Sequence, residues 1–235
     1  MTTLDGAAAA RLTVRELRRR WKPIKDGEAA GAAHEPIRVR LHRCWSWLQR
    51  IEELEAAGVG VDDARLIYGW IALNSLYGRW DERERSPESD KPSLDAFLRR
   101  LLELDAEGLL RGLIESQRDL AKQIVGDEFL SRHYWEAPGE GQARRAQSDR
   151  RKLASWHVEG RHAMALDAVL RRVYLARCQL VHGAATYNSQ LNRTAVQRCA
   201  AYLEAFLRGA SVVIVDRGWR EDWGRLCYPP IDRGT

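Results

Sequence analysis

The chain of 235 residues has an ordinary globular composition with a modest excess of positive charge. Hydrophobic residues make up 45% and charged residues 30% of it, which excludes wholesale disorder and gives no reason to expect a fibrous fold. The formal net charge of +5 favours polyanionic partners such as nucleic acid, although many basic proteins bind none.

The sequence predicts a cytoplasmic protein that has no contact with a membrane. No apolar run approaches the roughly 20 residues that span a bilayer, and the first twelve residues lack the pattern of a signal peptide. The four cysteines are far apart and form no CxxC pair, so we expect free, mostly buried thiols. Neither a bound metal nor any other cofactor is expected.

The first half of the chain contains several predicted helices. Thr13 and Glu16 form a capping-box pattern, which predicts the start of a short basic helix. Pro36 suits the first turn of an amphipathic helix that ends at Gly58. The segment 62–80 is apolar on nearly all sides, which predicts a central buried helix.

The segment 81–92 is polar, charged and rich in turn-forming residues, which predicts an exposed loop. Ser93 then offers a cap for the next helix, and the helical pattern continues with interruptions to His133. The following segment, 136–155, shows no apolar period. We expect it to be a mobile basic loop insertion, and a solvated loop is the preferred interpretation over a contact with nucleic acid. Its basic residues are Arg144, Arg145, Arg150, Arg151 and Lys152.

The strongest helical period comes after this insertion and ends near Gly183. A further helix is predicted to begin near Thr194, and the β-branched run 212–215 fits either its continuation or a short strand. The tail after Gly218 contains two tryptophans and is expected to pack on the body of the protein. These patterns together predict an all-α fold with extra helices and a Trp-containing tail, in a single domain over residues 1–235 with a core over about 37–210.

Familiar catalytic patterns are missing from the sequence, which contains no P-loop, GxGxxG, GxSxG or HExxH. His157 and His162 are five residues apart, which does not place two imidazoles on one face of a helix, so we do not expect them to bind a metal. The remaining candidates for chemistry are Arg177 and His182, which close the most regular helix and are followed by a glycine.

The segment from Arg177 to Gly183, RCQLVHG, resembles the R-x4-6-H motif of the HEPN superfamily, in which the motif also lies late in the chain at the end of a long helix. The segment 70–78, WIALNSLYG, is similar to the aromatic-rich early helix of some HEPN branches. Two positions differ from family patterns: Cys178 stands where a polar residue such as Asn is common, and Ala184 stands where one toxin branch has tyrosine. The resemblance covers about residues 37–210.

The resemblance implies a HEPN-like helical bundle and a metal-independent endoribonuclease of the toxin or antiviral-defence type. It also implies a homodimer whose two motifs share one cleft, with RNA as substrate and an antitoxin or defence protein as a possible partner. In this interpretation His182 is the general acid and base, Arg177 holds the phosphate, and Cys178 supports them. Tyr187 and Trp156 lie near the motif and could stack on bases, or could belong to the core.

The physical chemistry of an Arg–His pair fits this reaction without a metal. Attack by a 2′-hydroxyl on the adjacent phosphorus needs a proton acceptor and a cation near the phosphoryl oxygens. Five residues turn an α-helix by about 500°, so the two side chains start roughly 140° apart, and a dimer would solve this mismatch. Two alternatives stay open. Arg177 could form a surface salt bridge while His182 caps the helix, or the protein could be a non-catalytic HEPN-like module that binds RNA or protein.

Overall fold

A computed structural model of the protein describes residues 4–58, 62–136, 139–190 and 192–228, without the side chains of residues 140, 142 and 143. Over these residues the fold is almost entirely helical, so the predicted all-α class is confirmed. The helices are α1 (Gly6–Ala9), α2 (Val14–Asp26), α3 (Glu35–Ala56), α4 (Asp62–Tyr77), α5 (Asp90–Leu104), α6 (Leu109–Ser116), α7 (Arg118–Val125), α8 (Arg132–Glu136), α9 (Glu140–Val158), α10 (His162–Val181) and α11 (Arg193–Val213).

Short elements complete the fold. Two 3₁₀ turns cover Ala32–His34 and Glu128–Leu130, and a π-helical turn covers Ile214–Gly218. The segment predicted as an exposed loop after α4 contains a small antiparallel hairpin, in which β1 (Trp80–Asp81) pairs with β2 (Ser86–Pro87). None of the helices in the described ranges is long and apolar enough to cross a membrane.

The core lies between α3, α4 and α11, with α10 packed against α11. Segment 62–77 is a buried helix as predicted, and Leu66, Leu73 and Tyr77 are each at most 1% exposed. Helix α11 is buried even more continuously, because every residue from Tyr202 to Val213 is buried. The ambiguous run 212–215 therefore continues a helix, and its β-branched side chains fill the core.

The tail after the π-helical turn is fastened to α3 by a buried arginine. Arg40 is 1% exposed, and burial lowers its pKa to about 10. Among the described residues it has no carboxylate partner, and its guanidinium instead donates to the carbonyl oxygens of Leu76, Gly78, Trp223, Gly224 and Arg225. The predicted packing of the Trp-containing tail is confirmed, since Trp219 and Trp223 belong to the core.

The mobile basic loop expected over residues 136–155 is wrong for Glu136, which ends α8, and for residues 140–155, which lie in α9; residues 137–138 lie outside the described part of the chain. Helix α9 buries only a few apolar side chains, such as Ala146 and Leu153, so its sequence shows no clear apolar period. The attachment of α9 to α10 is partly polar, because Asp149 of α9 pairs with the buried Arg172 of α10 at 2.7 Å. Ser93 is likewise not the cap of α5, which begins at Asp90.

The π-helical turn that follows α11 makes two contacts with other parts of the chain. Asp216 accepts two hydrogen bonds from Arg20 of α2, at 2.7 and 2.6 Å. Gly218 accepts a 2.7 Å hydrogen bond from the indole of Trp223, whose ring also approaches the Gly218 Cα closely enough to leave no room for a side chain there. The turn thus determines where the tail meets Arg40.

Candidate functional site

Helix α10 has a buried face and an exposed face, and the predicted motif lies at its carboxyl end. The buried face carries the apolar residues that gave the strong period, Leu166, Val169, Leu170, Val173 and Ala176. The exposed face carries Tyr174, which is 43% exposed, and Val181, which is 51% exposed. His182 follows as the C-cap residue, and Gly183 ends the helix with a left-handed φ of 71°.

Arg177 is half-buried, yet the described residues place no carboxylate within ion-pair distance of it. Its nearest polar contact is weak, since Nη1 lies 4.0 Å from the Sγ of Cys178. Arg79 and Arg198 are the other half-buried arginines without an oxygen acceptor in the described part of the chain, and neither precedes a histidine by one or two helical turns. The surface salt bridge considered for Arg177 is thus not formed in the described part of this protomer.

His182 is exposed, and its backbone N–H donates to the carbonyl of Cys178 at 2.9 Å. Its position agrees with the C-cap interpretation, but its imidazole makes no hydrogen bond to any described residue. Arg177 and His182 also make no hydrogen bond to each other in the part of the chain that the structure describes. The pair therefore shares one helix end without forming a closed site within one protomer.

Two tyrosines accompany Arg177, and sequence reasoning did not single them out. Burial raises the pKa of Tyr77, with a further contribution from the Asp90 carboxylate, while the charge of Arg177 opposes the shift. The pKa of Tyr174 is also raised, first by its contact with the Cys178 thiol, and Arg177 again opposes the shift. Arg177 therefore lies within electrostatic range of both rings. Tyr174 also contacts Trp70, with ring centroids 5.5 Å apart.

These aromatic side chains line a cleft of about 330 Å³ between α4, α5 and α10. Its apolar walls come from Trp70, Tyr77, Leu94, Leu170 and Tyr174, and its polar groups include Asp90, Lys91 and the ion-paired Asp167 and Arg171. The Tyr77 side chain is almost completely buried, and its hydroxyl has no hydrogen-bond partner among the described residues. A buried hydroxyl without a partner is uncommon and costs about 1–3 kcal/mol.

A second cleft, of about 400 Å³, lies on the other side of the end of α10 and is lined by Trp135, Cys178, Gln179 and Ala184 among others. Gln179 donates to the carbonyl of Phe129 at 2.8 Å, which attaches this end of α10 to the segment around α8. Trp135 is 53% exposed and Phe129 is 41% exposed. The end of α10 is therefore surrounded by exposed apolar side chains on more than one element.

The predicted RNA-binding residues occupy two other places. Arg144, Arg145, Arg150, Arg151 and Lys152 are all exposed on α9, a helix that packs against α7 and α10. Tyr187 is 74% exposed in the connection between α10 and α11. Trp156, the other aromatic candidate, is half-buried and packs on the core.

His157 and His162 do come together, although they are not on one helical face. Helix α9 ends at Val158 and α10 begins at His162, so the two histidines lie on different helices. Both imidazoles contact the same oxygen of Glu115, at 3.2 and 3.0 Å. No group of three metal-ligating side chains with a geometry for metal binding occurs in the described ranges. This trio joins α6, α9 and α10.

The chain was compared with family models, curated proteins and solved structures. None of them matches it.

Proposed function

We propose that the protein is a metal-independent endoribonuclease of HEPN type, active as a homodimer, with Arg177 and His182 as its catalytic residues. The observation that carries this proposal is a half-buried guanidinium with no oxygen acceptor among the described residues, five positions before an exposed imidazole. Burying a cation without a partner is unfavourable, so such a group is expected to have its acceptor in a ligand.

In the proposed reaction the neutral imidazole of one His182 removes the proton from a ribose 2′-hydroxyl. The 2′-oxygen then attacks the adjacent phosphorus, and the bond from phosphorus to the 5′-oxygen of the next nucleotide breaks. The same imidazole, now protonated, gives that proton to the leaving oxygen. Arg177 stabilises the negative charge on the phosphoryl oxygens. The products are a 2′,3′-cyclic phosphate and a 5′-hydroxyl.

The exposed apolar side chains near the motif support the homodimer. Val181 lies on the outward face of α10, and Trp135 lies beside the same helix end. Large exposed apolar patches on soluble proteins commonly mark contact surfaces, and a two-fold axis there would face the two motifs toward each other. Such an axis would also solve the 140° mismatch, because each protomer would contribute one member of a pair.

The test is RNA cleavage in EDTA by the purified protein, compared with Arg177→Ala and His182→Ala. Proton transfer by a positioned residue contributes roughly 10²–10⁴ in rate, and a positioned cation a comparable factor, so either substitution should lower cleavage by at least about 100-fold. Analysis of the ends should find cyclic phosphates. The proposal fails if the wild type cleaves no RNA, or if cleavage requires a divalent metal.

Matched controls come from the same chain. Arg198→Ala removes a half-buried arginine that also lacks an oxygen acceptor in the described part, and His42→Ala removes an exposed histidine on α3. Both controls should cleave at the wild-type rate. A loss in the controls equal to that in the motif variants would show that the substitutions act through the fold.

The second candidate is a non-catalytic module that binds RNA through the same surface. It is favoured by the position of His182, whose backbone caps α10 as any residue could, and by the row of exposed cations on α9. It predicts RNA binding without cleavage, and binding that is unchanged by His182→Ala. Filter binding with several unrelated RNAs separates the two candidates.

A further inference from the structure

We infer that the cleft between α4, α5 and α10 is a guanine-binding subsite, which places a guanosine next to the phosphate held by Arg177. This inference deepens the proposed function and rests on it for the identity of the phosphate. The cleft volume of about 330 Å³ lies near the lower end of the range for small-molecule sites, roughly 300–1,000 Å³. A planar base is an occupant of suitable size.

The walls favour an aromatic ligand. Tyr174 is 43% exposed and its ring lies 5.5 Å from that of Trp70, so two aromatic rings line the cleft together with Leu170. Unpaired bases stack on such side chains, and each stacking contact contributes about 1–3 kcal/mol. Stacking would hold any base, so the preference for guanine must come from the polar groups of the cleft.

Two polar groups in the cleft match the Watson–Crick edge of guanine. The Tyr77 hydroxyl is buried and makes no hydrogen bond of good geometry with any described residue, and the Asp90 carboxylate lies close enough to raise its pKa. Guanine presents the O6 acceptor beside the N1–H and N2–H donors, so Tyr77 can donate to O6 while Asp90 accepts from the two N–H groups. Adenine, cytosine and uracil each present a different order of donors and acceptors.

Asp90 differs from Asp167, another carboxylate of the cleft, which is paired with Arg171. Arg171 donates to both oxygens of Asp167, at 3.0 and 2.8 Å. The negative charge of Asp95 also helps to raise the pKa of Arg171. In the described ranges no basic side chain lies within ion-pair distance of Asp90. Apart from its contact with the Tyr77 hydroxyl, the exposed Asp90 carboxylate is therefore open to a ligand.

The charge balance argues against a cationic ligand such as an amine. The three carboxylates of the cleft, Asp90, Asp95 and Asp167, face the cations Lys91 and Arg171, and Arg177 adds a third positive charge nearby. The cleft thus has no net negative field to attract an ammonium group. A neutral base that carries a phosphate fits better, because its phosphate can reach Arg177. That arginine follows Tyr174 by three residues, about 4.5 Å along the helix.

The first experiment is calorimetric titration of the full chain with guanosine 3′-monophosphate and with the adenosine, cytidine and uridine equivalents. We expect the guanosine nucleotide to bind at least tenfold more tightly than the other three. Equal binding of all four, no saturable binding, or tighter binding of arginine amide would each overturn the inference.

Variants locate the site. Asp90→Asn should lower guanosine nucleotide affinity at least tenfold and remove the preference for guanine, while Asp119→Asn, at an exposed aspartate, should change nothing. Tyr77→Phe should weaken guanosine binding with no loss of stability, since it removes a hydroxyl that has no partner in the described residues. Wild-type binding by Asp90→Asn and by Tyr77→Phe would overturn the assignment.

The failure of this inference can be told apart from the failure of the proposed function. His182→Ala should keep the guanine preference in binding, because the imidazole does not touch the base. RNA cleavage that shows no preference for sites next to guanosine would contradict the subsite and leave the ribonuclease intact. Selective guanosine binding by a protein that cleaves nothing would support the subsite and remove the catalytic proposal.

Discussion

Arg40 and Arg177 are arginines with little solvent exposure that occupy opposite kinds of site. Arg40 at the junction of α3 and the tail donates to five carbonyl oxygens, whereas Arg177 at the end of α10 has no oxygen acceptor in the described part of the chain. An arginine whose terminal N–H groups are bonded to the chain, as those of Arg40 are, stabilises the fold. An arginine that finds no oxygen acceptor among the described residues is available to a ligand. The residue type does not reveal this difference, which depends on whether the surrounding chain supplies hydrogen-bond acceptors.

The sharpest test of this comparison is the stability of Arg40→Leu beside that of Arg177→Leu. Removing the Arg40 guanidinium leaves up to five carbonyls without their donor, so we expect a loss of about 3–5 kcal/mol in the free energy of unfolding. Arg177→Leu should change it by less than about 0.5 kcal/mol, because no partner is left behind. Urea denaturation measures both values. Similar losses in the two variants would remove the distinction.

Mixing two inactive variants tests whether the free donors of Arg177 serve a site between protomers. A heterodimer of Arg177→Ala with His182→Ala contains one intact pair on opposite chains, so cleavage should return to about a quarter of the wild-type rate if half of the dimers are mixed. RNA cleavage after co-refolding of the two chains is the measurement. No recovery, in a mixture shown by mass spectrometry to contain heterodimers, would contradict a pair shared across the interface.

The smallest expected effect concerns α9, whose cations are exposed but lie away from the motif. If Arg144, Arg145, Arg150, Arg151 and Lys152 contact phosphates, replacing them with Gln should flatten the dependence of log affinity on log salt by roughly 0.7 per lost contact. Filter binding over a range of salt concentrations gives the slope. An unchanged slope would mean that this face of α9 is simply solvated.

The sequence predicted the helical class well because most helices bury a regular apolar stripe, as α3 and α10 do. It failed at α9, where the attachment depends on the Asp149–Arg172 ion pair and few apolar residues, so no period is visible. The site at Arg177 and His182, predicted from their spacing at the end of a regular helix, stays a prediction. The sequence did not single out Asp90 or Tyr77, because they come from separate helices that only the fold brings to one cleft.

The π-helical turn at Ile214–Gly218 has a consequence for how the chain length can vary. A π turn accommodates one residue more than an α turn, and it commonly arises from a single inserted residue. Deleting one residue here would rotate everything that follows by about 100° and shift it by about 1.5 Å. The carbonyls of Trp223 and Gly224 would then miss Arg40, to which they are bonded across more than 180 positions of sequence. We therefore expect relatives to keep the length of this turn.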